Sequence, residues 1–427
     1  MERLTNIKRL IDILQMTCCI ASVTFFIGYA SLSGADDEKK VLPIKKQTHT
    51  LSGDADKHKS MFVFLDGTAN DPKSGTNVWR LYEMLLKNND PQMTAIYIEG
   101  VGSVRDKPIS GAALGRGMEE RILMGYEFIA KNYNSGDDIY IIGFSRGAHQ
   151  ARSLAGLLSY AGVPITSRGE RDYLIETANK IIELTKKKSD QDFADKWVSW
   201  SPGQASLLAS EIKEKLQLEM QTAEITFLGV WDTVPGSSLK DYGYCKEEKG
   251  FVKNYLYWLI PGIDKGERYK SDSYPAIRDI AHAVSLDEKR SKFAPLLLCP
   301  AINPEYTRIS EVWFPGAHAD VGGGYQDSDE LPSISLRWMI DLLEESYEFN
   351  NIPPEVEENA KGLAHWSIKD FPANVGSDCI DRHIPANANI HTSFSERKNS
   401  SPVPIRMEGM VKSLNYPIKC STIDTLN

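Results

Sequence analysis

Short apolar runs, each closed by a polar or glycine-rich loop and then followed by helical spacing, recur along the first half of the chain. Met61-Phe62-Val63-Phe64-Leu65 ends in Asp66-Gly67-Thr68, and Val78, Leu81, Tyr82 and Leu85 then fall on one helical face. A second strand is predicted from Ala95 to Glu99, ending in Gly100-Val101-Gly102, and a helix over 118–133 carries Ile122, Tyr126 and Ile129. Ile139-Tyr140-Ile141-Ile142 follows the turn-like Asn134-Ser135-Gly136-Asp137-Asp138. Beyond it Ala151, Leu154, Ala155 and Leu158 mark an amphipathic helix that Gly162 and Pro164 stop. Fully apolar strands alternating with helices predict an α/β chain built on a doubly wound, mostly parallel sheet.

The pattern then changes. From about Thr166 to Gln221 the chain reads as charged amphipathic helix, with Lys186-Lys187-Lys188 and the pair Trp197 and Trp200. A surface-thickening helical insertion is the expectation, with a cap over the site as the alternative. Strand character returns at Ile225–Trp231, ending in Asp232-Thr233-Val234-Pro235-Gly236. It returns again at Val312-Trp313-Phe314, before Pro315-Gly316-Ala317-His318-Ala319-Asp320 and three glycines. A helix is expected over 333–347, and the last eighty or so residues read as irregular. The implied domains are an N-terminal segment over 1–40, a linker over 41–60, a catalytic domain over 61–350 with the insertion at 166–221, and an irregular extension over 351–427 packed on it.

Composition adds limits. The 427 residues suffice for a large core, and 41% hydrophobic with 25% charged residues is ordinary for a globular chain. A formal charge of -9 leaves no footprint for nucleic acid. Six cysteines, at 18, 19, 245, 299, 379 and 420, have no metal-like spacing. Neither a metal nor an organic cofactor is expected, and no disulfide is demanded, although one pair is compatible with an oxidising compartment. Arg3, Lys8 and Arg9 precede an apolar stretch from Met16 to Leu32, after which acidic residues begin at Asp36. That order predicts a signal peptide or signal anchor, hence export or membrane attachment with the folded part outside the cytoplasm.

The chemistry collects at predicted strand ends. Gly143-Phe144-Ser145-Arg146-Gly147 is G-x-S-x-G between a strand and a helix, the context in which a sharp turn lifts a serine hydroxyl above the sheet. Asp232 and His318 each follow a strand, and the order Ser, acid, His suits a hydrolase triad. His318 is the best-placed base because glycines flank its loop. His282, on a helix-like stretch with Asp279 and Asp287, and His391 are alternatives. Asp320 is a less comfortable acid than Asp232. The amide of Arg146, with those of Gly67 and Thr68 after a turn shaped by Asp66, is the candidate oxyanion hole.

These same loops resemble one family. Phe64-Leu65-Asp66-Gly67-Thr68-Ala69-Asn70, the serine motif with Ala151-Arg152-Ser153-Leu154-Ala155-Gly156, Phe227 to Val234, His282 to Glu288 with Arg290 and Phe293, and Trp313 to Tyr325 occur in order over roughly 61–345. Together they are similar to the Tle1-like catalytic domain of type VI secretion phospholipase effectors, and His391 resembles a C-terminal element of that family. The resemblance implies an α/β-hydrolase fold, carboxylic-ester hydrolysis with phospholipids as the substrate class, and Ser145, Asp232 and His318 at the catalytic positions. The N-terminal apolar segment departs from the effector pattern, and no large C-terminal module of the kind effectors use at membranes is expected. The expected function is therefore a phospholipase-type serine esterase acting on a lipid or other ester. The competing readings are a thioesterase or acylhydrolase on non-lipid substrates and a membrane-tethered scaffold without turnover.

Overall fold

The computed structural model describes residues 44–102, 111–165, 174–188, 193–235, 273–350, 356–369 and 377–423. Its centre is an eight-stranded sheet. In chain order the strands are β1 (Lys46–His49), β2 (Ser60–Leu65), β3 (Met93–Ile98), β4 (Asp138–Phe144), β5 (Ile225–Trp231), β6 (Ile277–Ser285), β7 (Arg308–Phe314) and β8 (Asn389–Ile390). Their spatial order is β1-β3-β2-β4-β5-β6-β7-β8. Every pairing is parallel except that of β1 with β3. This is the mostly parallel α/β architecture, with helices between the strands, that the alternation of runs and helices predicts.

The helices lie on both faces. α1 (Asn77–Asn88) packs with the helix Glu330–Leu343 on one side. α2 (Gly111–Asn132) and α3 (Arg146–Ala161) pack together on the other. Strand period decides which side chains go where: Phe62, Phe64, Tyr97, Tyr140 and Ile142 share a core with Val78, Leu81 and Leu85 of α1 and with Leu336, Met339 and Ile340. Phe62 and Tyr140 are register partners on β2 and β4, and their rings stack at 4.3 Å. Cross-strand aromatic pairs of this kind hold register as well as burying area.

The order of the strands positions the site. From β2 the chain moves outward to β3, then crosses back to β4 on the other side of β2. The loops after β2 and β4 therefore diverge to opposite faces and leave a crevice at the carboxyl edge of the sheet, where ligands of open α/β sheets bind. Asp66 to Thr68 and Ser145 occupy those two loops.

Several expectations are corrected. Residues 46–49 fall in the predicted linker, yet they form β1 and pair with β3 from Lys46↔Ile98 to His49↔Ala95. The helix-like stretch around His282 is the strand β6. Its charged residues face partners directly across the ladder, Asp279 with Arg308 and His282 with Glu311, which lets polar side chains occupy a central strand. The C-terminal part is not irregular. It contains a three-stranded sheet of Ala364–His365, Val403–Met407 and Met410–Leu414 and a helix over Thr392–Asn399. Its apolar residues Trp366, Val403, Ile405 and Tyr416 are continuous with the main core. Within the predicted insertion lie the helices Leu174–Lys186, Ala194–Ser199 and Ala209–Leu216. A disulfide joins Cys379 to Cys420. The apolar stretch from Met16 to Leu32 lies outside the described residues, and among those described no helix is long and apolar enough to cross a membrane.

At the opposite edge of the sheet Lys59 and Asp137 form an ion pair whose side chains are 3% and 2% exposed. Asp137 also accepts from the amides of Lys59 and Asn134, tying the start of β2 to the turn before β4. Removing one partner of a buried pair leaves an uncompensated charge. Lys59→Met is therefore expected to lower the unfolding free energy by about 3 kcal/mol or more in urea titrations. An unchanged midpoint would show that the pair is not needed to fasten this end of the sheet.

Candidate active site

β4 ends at Phe144, and Ser145 turns with φ 59° and ψ -124° before α3 begins at Arg146. A non-glycine residue in that region is strained, and the strain persists because the neighbours leave no other course. A Cβ on Gly147 would lie 2.1 Å from the carbonyl oxygen of Leu65, and one on Gly143 would lie 2.6 Å from that of Gly147. Glycine at both positions thus allows the strand-to-helix turn to close against β2. Ser145 is fixed to β5 as well: its amide donates to Trp231 O at 3.0 Å, and its carbonyl accepts from Val234 N at 3.2 Å.

Asp232 stands one residue past the end of β5 with no exposure. Its amide donates to Ala283 O on β6 at 2.7 Å. Oδ2 lies 2.5 Å from Nδ1 of His318, and Oδ1 accepts from the amide of Ser285 at 2.9 Å. Arg382 completes the shell with a forked pair, 2.6 Å to Oδ1 and 2.9 Å to Oδ2. Burial alone would raise this carboxyl. The charge of Arg382 and the hydrogen bonds from His318 and Arg382 outweigh it and hold Asp232 well below the usual carboxylate range.

His318 opens a short helix, His318–Gly322, after β7. Its ring lies between Phe144, at 4.6 Å, and Phe293, at 5.0 Å, which brings the imidazole against the serine turn. With Nδ1–H directed at Asp232, Nε2 is the basic nitrogen. Burial lowers the imidazole below its ordinary value despite Asp232, with Arg290 adding to the effect. Glu288 sits behind the same residue, accepting from the His318 amide at 3.2 Å, from Ser367 and from a fork of Arg290. Among the described residues no hydrogen bond joins Ser145 Oγ to His318. Catalytic bonds of this kind commonly tighten only when substrate is in place.

The loop after β2 meets the turn from the other side. Arg146 Nη1 donates to Thr68 Oγ1 at 3.3 Å, and the amide of Arg146 is at the open first turn of α3, where helical amides lack intrahelical acceptors. Gly67 behaves differently from expectation: its amide donates to Asp66 Oδ1 at 2.7 Å, so it is engaged within its own turn. Thr68 is then the candidate donor from this loop. Asp66 accepts in addition from Tyr97 and Thr76, and burial still pushes its carboxyl up to about 6.

The alternatives separate cleanly. His282 is fully buried, with Nε2 accepting from the amide of Thr233 at 3.1 Å and Nδ1 facing Glu311 at 2.9 Å, so it braces the loop carrying Asp232 from behind. His391 caps the helix Thr392–Asn399, accepting from the amide of Ser393, and stacks on Phe314. Asp320 faces His365 at 2.7 Å and receives the amide of Ala317, so it serves the loop of His318 without reaching the imidazole. Arg382 had no signal in the sequence, because it lies 150 residues from Asp232 in an unpatterned stretch. Among the described residues no group of acidic, histidine and cysteine side chains could hold a metal ion.

The family model described as "T6SS, Phospholipase effector Tle1-like, catalytic domain" matches residues 59–342. The chain belongs to this family. The match takes in β2 to β7 and all of Asp66 to Thr68, Ser145, Asp232 and His318. A relative in Saccharomyces cerevisiae, the uncharacterized protein YEL023C, is 26% identical over 296 residues, covering 65% of this chain. The chain spans 37% of the length of that relative. Among solved structures, an uncharacterized protein from Pseudomonas aeruginosa is 17% identical, with a TM-score of 0.33 over 70% of this chain and 47% of that one. A Tle1 effector bound to the VgrG spike of the type VI secretion system is 19% identical, with a TM-score of 0.26 over 63% and 51%. The esterase Est2 of Thermogutta terrifontis is 12% identical, with a TM-score of 0.38 over 72% and 91%.

The turn itself is open to test. Gly147→Ala drives a methyl group into the backbone of Leu65, a clash for which overpacking costs of about 1–3 kcal/mol are usual. A clear fall in melting temperature is expected, and an unchanged melting curve would contradict the close approach of α3 to β2.

Proposed function

We propose that this chain is a serine carboxylic-ester hydrolase of the phospholipase type, with Ser145 as nucleophile, His318 as general base and acid, and Asp232 as the carboxylate that orients the imidazole. The observation that carries the reading is the buried Asp232–His318 pair set against a strained serine turn at the sheet's switch point. Membership of the Tle1-like family supports both the ester chemistry and the phospholipid substrate class.

In this mechanism His318 Nε2 takes the proton of Ser145 Oγ as the oxygen attacks the ester carbonyl. Asp232 holds the imidazole in the tautomer that presents Nε2 and stabilises the imidazolium that forms. Negative charge gathers on the carbonyl oxygen, and on this reading the amides of Arg146 and Thr68 are the donors that meet it. The imidazolium protonates the departing alcohol, and water then cleaves the acyl-enzyme by the same steps in reverse roles. A depressed imidazole pKa suits the base role, because His318 is then neutral at neutral pH.

The working compartment is part of the same proposal. The Cys379–Cys420 disulfide fits an oxidising environment, in keeping with export or membrane attachment through the N-terminal apolar segment. Its partners on this reading are an ester or lipid substrate and a membrane surface.

Ser145→Ala in the purified full chain is expected to cut kcat/KM on short-chain esters by about a thousandfold or more. A panel of phospholipids read by mass spectrometry should then release fatty acid with the parent and not with the variant. Equal rates for the two proteins would remove Ser145 from the reaction. Turnover confined to non-lipid esters or thioesters would overturn the phospholipase reading while leaving the serine mechanism standing.

A further inference from the structure

Arg382 stands outside the stretch that the family model matches, which ends at residue 342, yet its guanidinium binds the carboxylate of Asp232 through both arms. The side chain is 4% exposed. Nη1 donates to Asp232 Oδ1 at 2.6 Å and to Ser285 O at 2.7 Å, while Nη2 donates to Asp232 Oδ2 at 2.9 Å and to Phe293 O at 2.6 Å. One planar group therefore binds the acid, the end of β6 and the segment whose Phe293 ring lies on His318.

The stretch carrying Arg382 is itself fastened at several points. Cys379 is bonded to Cys420, and the amide of Cys420 donates to Asp381 Oδ1 at 3.3 Å. Asp381 also pairs with Lys289 at 2.8 Å. The amide of Ile380 donates to Lys289 O at 2.8 Å, and that of Ser291 donates to Asp378 O at 3.0 Å. Such fixing of a fork-shaped donor is what holding a carboxylate at one angle requires, and lysine could not do it with two parallel bonds.

We propose that Arg382 is a positioning residue for the catalytic acid: it fixes the plane of Asp232 toward Nδ1 of His318 and neutralises enough of its charge to keep the imidazole easy to deprotonate. The proposal rests on the serine-hydrolase reading above. The groups facing His318 are Asp232 on the loop after β5, Glu288 and Arg290 after β6, and the rings of Phe144 and Phe293. Those facing Asp232 are His318, the amide of Ser285, Arg382 and, through its charge, Arg290. Removing the Arg382 charge leaves Asp232 to act undiminished on the imidazolium, so the imidazole gains affinity for its proton. The acid limb of the pH profile, which falls as His318 protonates, then moves to higher pH.

The test is the pH dependence of kcat/KM on a soluble short-chain ester for the full-length parent, Arg382→Gln and Arg382→Lys, with circular dichroism recording the fold of each. Arg382→Gln is expected to move the acid limb upward by about half a pH unit or more, and Arg382→Lys in the same direction by less. An acid limb coincident with the parent's, with activity lowered equally at every pH, would overturn the proposal and leave Arg382 as a structural brace. If Arg382→Gln does not fold, Arg382→Met, which also removes the charge, decides by the same criterion. Ser145→Ala in the same assay separates the two readings. Retained activity there defeats the serine mechanism itself, whereas an unmoved limb with Ser145 still essential defeats only the role of Arg382.

Discussion

A carboxylate with no exposure to water must be met from every side, and Asp232 is the residue around which the carboxyl edge of this sheet is organised. Its four ligating groups come from His318, from the amide of Ser285 and from both arms of Arg382. They arrive from the ends of β7 and β6 and from the C-terminal part. Taking any of them away leaves a buried charge short of partners, which costs far more than an ordinary hydrogen bond contributes. Such a shell ties distant segments to one point and gives the imidazole a fixed direction.

The surrounding braces act on the same loops. His282 reaches the amide of Thr233, next to Asp232, while Glu311 orients His282 from the neighbouring strand. Asp287 accepts from the amide of Gly316 and from the hydroxyl of Tyr416, and Asp320 accepts from the amide of Ala317. The loop that carries His318 is thus held by carboxylates at two successive amides before the histidine is reached. Preorganisation of this kind lets a hydrolase meet developing charge without rearranging its own dipoles. The loop glycines at 316, 323 and 324 take positive φ angles, which explains why the histidine loop is glycine-rich.

What could be seen in the sequence follows from how locally each feature is encoded. The strands before Asp66, Ser145 and Asp232 are short apolar runs that end in a turn, so period and punctuation suffice to find them. The strand before His318 is legible only in its last three residues, because Arg308 and Glu311 earlier in it break the apolar pattern. β6 is hidden in the sequence for the same reason: Asp279 and His282 look unlike strand interior until their partners Arg308 and Glu311 are seen to lie directly opposite. β1 and the C-terminal sheet lack apolar runs of their own and depend on pairing with distant segments. The engagement of the Gly67 amide by Asp66 and the grip of Arg382 on Asp232 are tertiary facts, and neither has a spacing that could reveal it.

The central claim is that Ser145 is a nucleophile armed by His318 and Asp232. A fluorophosphonate is the most direct probe, since it modifies a serine only where a base and oxyanion donors act together. After reaction of the folded full chain and proteolysis, mass spectrometry should find a single adduct on the peptide containing Ser145, lost on unfolding and absent from His318→Ala. An adduct at another residue, or none on folded protein, would contradict the assignment.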